Sequence, residues 1–154
     1  MPKFADALDR SAETIKRPPP LPLGHYIFQV VRMPDPPEEM STKIGPMEKL
    51  TVQCAAVAPS DDVDPDEVRD FGNVQGVPMR LDFLFNNEDA NKFEATLNRL
   101  KMFCEQCGVD ISSGSVNEWL SQLPNAQFLG EVSHRMDPND PEIFYAEIKR
   151  TAGV

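Results

Sequence analysis

The residues best able to do chemistry are few. Cys104 and Cys107 are two residues apart, the spacing of a zinc knuckle or a redox pair. A zinc site needs four ligands, and the remaining candidates, Cys54, His25 and His134, supply no second paired spacing. A redox pair draws a low thiol pKa from a helix N-terminus. These two cysteines fall instead at the C-terminal end of a helical pattern and on its apolar stripe, so they read as core thiols. No metal or other cofactor is expected. Asp62, Asp64 and Asp66 alternate as in a calcium loop, but the glycine and the terminal glutamate of such a loop are missing and Pro65 stiffens the segment. That stretch reads as a solvated acidic loop.

Pro34-Asp35 and Glu147-Ile148-Lys149 look like two halves of a metal-dependent nuclease pattern. Such a site needs both carboxylates around one metal, and here more than a hundred residues separate them. There is no Gly-x-Ser-x-Gly, no His-Glu-x-x-His and no phosphate-binding glycine loop, and only two histidines exist. No catalytic residue is assigned, and the chain reads as a protein that is not an enzyme.

The elements that position these residues follow from periodicity. Residues 25–33, 47–59, 77–85, 126–136 and 142–151 are β-branched or aromatic and alternate, which predicts five strands. Residues 34–46 read as a long proline-rich loop without regular structure, and the acidic stretch after 59 as a surface loop with one helical turn following Pro65. Between the third and fourth strands the period changes to that of a helix over 88–107. Asn86 or Asn87 is the expected N-cap; Ala90, Phe93, Leu97, Leu100, Cys104 and Cys107 form the apolar stripe; Gly108 ends it. A short helix is expected over 115–123. The predicted order is β-β-β-α-β-β. Residues 1–23 read as an arm, with an amphipathic helix carrying Phe4, Leu8, Ala12 and Ile15 and then an extended Pro-rich connection. Residues 24–154 form the domain.

Length and composition fit one soluble domain of 154 residues with 40% apolar content. No apolar run approaches a membrane span, and the N-terminus lacks the apolar centre of a signal peptide. A cytoplasmic protein with reduced thiols is expected. The net charge of −10 excludes a general DNA-coating surface, but affinity follows the local field, so a local basic groove stays open.

Five strands with a helix between the third and fourth is the element order of the OB-fold, a small Greek-key barrel. Within that order, "LPLGHYIFQVV" (21–31) resembles the opening strand of phage-type single-stranded DNA-binding proteins, in which Leu-Pro-x-Gly-x-Tyr begins the barrel. "EKLTVQCAAV", "QGVPMRLDFLFN" and "FLGEVSHRMDPNDPEIFYAEIKR" resemble their second strand, third strand and closing hairpin. The resemblance covers 21–151. It implies sequence-independent binding of single-stranded DNA during replication or recombination, in the host cytoplasm if phage-encoded. Many such proteins end in an acidic tail; this sequence ends in "KRTAGV", so tail-mediated recruitment of partners is not expected. Self-association or docking of replication and recombination proteins would fall to the arm.

Strand alternation turns Leu50, Val52, Leu81, Phe83, Phe144, Ala146 and Ile148 inward. The opposite face then carries Lys49, Arg80, Arg135, Tyr145 and Lys149. Arg32 on the first strand, Lys43 in the loop after it and His134 on the fourth strand complete the candidate nucleic-acid-binding set. Cations would hold phosphates while an aromatic stacks a base. The loops between strands one and two and between four and five, which often assist binding in OB-folds, are acidic here. The competing reading is a structural or adaptor β-barrel of a phage assembly that binds no nucleic acid.

Overall fold

A computed structural model of the chain describes residues 3–11 and 19–154. Its elements are α1 (Lys3–Ala7), β1 (Gly24–Val30), β2 (Glu38–Thr42), β3 (Gly45–Pro59), α2 (Pro65–Phe71), β4 (Pro78–Asn86), α3 (Ala90–Gln106), α4 (Val116–Ser121), β5 (Gln127–Asp137) and β6 (Asp140–Ala152). The arm helix expected to carry Leu8 ends at Ala7, with residues 8–11 in a turn and an irregular stretch, and the rest of its expected span, with much of the Pro-rich connection, lies outside the described residues. No helix among the described residues is long and apolar enough to cross a membrane.

The protein is mainly β, an open antiparallel sheet of six strands. The long strand β3 organises it. One edge of β3 pairs with β4 over Met47–Ala55. Its other edge holds β2 near its start and β1 near its end. β1 then pairs with β5, and β5 with β6. β4 and β6 approach each other without a hydrogen-bonded ladder. The strand count therefore differs from the five expected. Residues 38–42, read as loop, form β2. That strand carries no apolar alternation. It is held by backbone pairing to β3 and by a turn in which the Thr42 hydroxyl donates to the Gly45 carbonyl at 2.7 Å.

The core is aromatic. Tyr26, Phe28, Phe128 and Phe103 are fully buried, and ring contacts run from Tyr26 through Phe28, Phe128 and Phe103 to Phe83, with centroids 4.9–6.0 Å apart. Rings in such tilted or offset contact add to the stabilisation that area burial alone supplies. β5 approaches this stack closely at Gly130. A Cβ there would lie 2.7 Å from two carbons of the Phe28 ring.

Helix α3 lies against β4 and β6. It buries Thr96, Leu100, Phe103 and Cys104, with Phe93, Leu97 and Cys107 packed alongside, whereas Ala90 is exposed. Its N-cap is Asp89, not Asn86 or Asn87. The Asp89 carboxylate accepts from the backbone N–H groups of Asn91 and Lys92 at 3.1 Å, while Asn86 is buried and accepts from the Glu88 N–H. Gly108, at φ +83°, turns the chain out of the helix, and the Val109 N–H returns to the Cys104 carbonyl. Its C-terminal end is tied to β6: the Gln106 amide donates to the Thr151 carbonyl at 3.1 Å and accepts from the Thr151 hydroxyl at 2.6 Å.

The packed body begins before β1. Leu21 is buried, its carbonyl meets His134 Nε2 at 2.8 Å, and the Tyr26 hydroxyl donates to the Pro22 carbonyl at 2.7 Å. Phe144 was expected inside but is exposed. It sits opposite Met136 near the tip of the β5–β6 hairpin, beyond the reach of the core.

Candidate nucleic-acid interface

The outward face of β3 and β4 carries Lys49, Thr51, Gln53, Arg80 and Asp82, because Leu50, Val52, Cys54 and Phe83 point into the core. Gln53 lies opposite Arg80 and Thr51 opposite Asp82, and the Thr51 hydroxyl donates to the Asp82 carboxylate at 2.7 Å. Lys49 and Arg80 line one depression of about 190 Å³. Asp35 and Glu38 line it too. Two acids therefore offset these two cations.

Arg135 and Tyr145 face each other across the β5–β6 hairpin. The guanidinium carbon is 5.2 Å from the ring centroid, and Nε donates to Glu147 at 3.2 Å. The Tyr145 hydroxyl donates to Asp137 at 2.6 Å. Arg135 is thus already neutralised, and Tyr145 already held at both ends. His134 lies on the row of the hairpin that continues the inward side, bonded to the Leu21 carbonyl. Arg32 pairs with Asp35 at 3.5 Å. Lys43 sits exposed in the β2–β3 turn. The eight candidates are not one cluster: Lys49 is brought to Arg80, and Arg135 to Tyr145, while Lys149 belongs to a third place.

That place is a cleft of about 390 Å³ where β4 and β6 diverge beside α3. Leu81, Phe83, Met102 and Ile148 contribute apolar walls, and Arg99, Lys149 and Arg150 bring three cations. Asp82 is the one acidic residue among its lining. Arg99 lies over the Phe83 ring at 5.7 Å. Among the described residues, none of the three cations forms an ion pair. Consecutive strand residues ordinarily point to opposite faces. Here the β5–β6 register shifts: Glu131 faces Arg150 and Val132 faces Ile148, so Lys149 is an extra residue. Such a bulge re-aims side chains, and it lets neighbouring cations line one cleft. Sequence reasoning missed Arg99 and Arg150. Strict alternation assigns Arg150 to the wrong side, and Arg99 is on a helix outside the strand argument. The adjacent Lys-Arg pair in a strongly acidic chain was the signal available.

The remaining chemistry-bearing residues are structural in placement. Cys54 and Cys104 are buried in the core. Burial pushes the thiols of Cys54 and Cys107 up to about 12 and that of Cys104 up to about 11, so all three resist forming the thiolate that metals and electrophiles require. The acidic segment holds helix α2, capped by the Asp64 carboxylate on the Asp66 N–H at 2.8 Å. Asp62 binds His25, accepting from its backbone N–H at 3.1 Å and contacting Nδ1 at 2.6 Å. Those hydrogen bonds hold its carboxyl below the usual range. Glu147 is engaged with Arg135, and Asp35 lies with Lys49 and Arg80. Among the described residues no group of three or more His, Cys, Asp or Glu side chains is placed to hold a metal ion. Neither a protein-family model nor a curated protein matches the chain.

Proposed function

We propose that this is a single-stranded DNA-binding protein of the phage type, built on an OB-type barrel that is open between β4 and β6, and that it has no catalytic activity. The strand pairing supports the fold reading. β1 is bonded to both β3 and β5, β3 to β4, β5 to β6, and α3 connects β4 to β5. That is the OB order, with β2 as an addition in the loop after the first strand.

The observation that carries the function is the cleft with three unpaired cations and one acid, in a chain of net charge −10. A phosphate backbone would follow Arg99, Lys149 and Arg150. The acidic surface elsewhere repels nucleic acid and restricts it to this line. Binding of this kind is indifferent to sequence, because phosphates carry none. It would serve replication or recombination intermediates in the cytoplasm.

The adaptor reading keeps one observation in its favour: a large apolar groove on the far side of β3. It expects no affinity for DNA. Fluorescence anisotropy with a labelled oligonucleotide separates the two. Single strands should bind, more weakly as salt rises, and duplex should bind less well. Equal affinity for duplex and single strand, or none for either, rejects the proposal.

A further inference from the structure

We propose that the apolar groove between the loop after β1, α3 and α4 seats the N-terminal helix α1 of a second copy of this chain. The groove has a volume of about 630 Å³. Met33, Phe93, Leu97 and Leu120 are among its walls, and Asp35 and Glu48 contribute carboxylates to its lining. A concave, apolar surface of this size is the usual form of a binding site. It suits an amphipathic helix that presents residues at i and i+4.

The occupant comes from the arm. Phe4 lies in α1 and Leu8 in the turn that follows it, four residues on, so one more helical residue on docking would put them side by side on a helical face. They are 76% and 68% exposed. The chain therefore leaves Phe4 and Leu8 unpacked while keeping an apolar groove open. The arm is anchored at Leu21 and Pro22, ahead of β1, whereas the groove loop follows β1, so anchor and groove stand at opposite ends of that strand. Residues 8–21 span at most roughly 45 Å when extended, enough to reach a neighbouring molecule.

Charge points the same way. Residues 1–23 carry four basic and three acidic side chains, and residues 24–154 carry eleven and twenty-two. Two bodies of this charge repel each other, but the arm of one is attracted to the body of the other. Reciprocal exchange of arms closes a two-fold dimer.

Sedimentation velocity of the full chain over a dilution series tests this. The parent should show a monomer–dimer equilibrium. The variant Phe4→Asp/Leu8→Asp alters only exposed residues, so the body stays folded. Its homodimer loses four buried side chains, two from each arm, so self-association should weaken by roughly ten-thousandfold, since burying each is worth about tenfold or more. The groove variant Leu120→Glu should also be monomeric. An equimolar mixture of arm and groove variants retains one intact arm and one intact groove and should associate again. A parent that is monomeric at every concentration, an arm variant that associates like the parent, or a mixture that stays monomeric overturns the proposal. Docking of the arm on its own groove is read separately. Trp119 in α4 is the one tryptophan in the sequence. A concentration-independent change in its emission on Phe4→Asp/Leu8→Asp, with a monomeric parent, assigns the groove to the same chain and rejects the second copy.

Discussion

In the double variant Lys149→Ala/Arg150→Ala, two of the three cations of the β4–β6 cleft are gone while the apolar walls and Arg99 remain. Both side chains are exposed, and neither forms an ion pair among the described residues, so their loss changes the field and little else. On a single strand each neutralised phosphate contributes about −0.7 to the slope of log K against log salt. Three cations set a slope of about −2, a fall in affinity of roughly twentyfold from about 50 to 200 mM salt. The double variant should have a slope of about −0.7 and lose only about threefold over that range. Arg135→Ala removes the same charge from the same hairpin. Its guanidinium already sits on Glu147 at 3.2 Å, so that pair adds no net positive charge and the slope should stay at the parent value. Anisotropy titrations at several salt concentrations measure all three proteins. Points near 0.1 M are the most informative, because the Debye length there is about 10 Å and the distant acids are screened. A double variant that keeps the parent slope, or an Arg135→Ala that flattens it as much, refutes the assignment of the cleft.

Two further outcomes bear on the scaffold. Gly130→Ala should cost about 1–3 kcal/mol, because its Cβ would meet the Phe28 ring at 2.7 Å and that ring is fully buried against Phe128 and Tyr26; a urea midpoint equal to the parent's, with the same m-value, contradicts this. The Asp62 carboxyl is held below its ordinary value by its hydrogen bonds from His25, so its contribution is fully present above the unfolded carboxylate value and is lost as pH falls through the folded one. Asp62→Asn should therefore lower the urea midpoint at neutral pH, and the gap from the parent should close in acid; a gap that is constant from neutral pH into acid refutes the linkage.

Much of the fold was legible because periodicity survives wherever an element has a buried face. β1 alternates Tyr26, Phe28 and Val30 inward, and β3 alternates Leu50, Val52, Cys54 and Ala56. The stripe of α3 was legible for the same reason. β2 was not, because Glu38–Thr42 has no fully buried residue and its pairing partner is an edge of β3 that nothing in the segment itself announces. The N-cap was missed by a few residues for a related reason: Asn86, Asn87 and Asp89 are all competent caps, and burial of Asn86 in the turn, not its side-chain type, decides against it.

Which cations share a place in the fold was not legible in the sequence. Alternation correctly turned Lys49 and Arg80 outward, yet it says nothing about what faces them. Asp35 and Glu38 reach the same depression only because the proline-rich segment folds back along β3. Likewise alternation put Arg135 and Tyr145 on one outer face, but it did not show that they stand opposite one another or that their carboxylate partners Glu147 and Asp137 lie on the same hairpin. A cation is available to phosphate only if no nearer anion holds it, and that depends on strand register. One residue of register at the β5–β6 bulge separates Lys149 and Arg150, left without an ion pair at the cleft, from Arg135, which is held. Ion pairing withdraws Arg32, Arg69 and Arg135 from the field that an anionic ligand meets. The places where cations go unpaired, beside an apolar wall and at a break in the sheet, therefore carry more information about an anionic ligand than the total charge does.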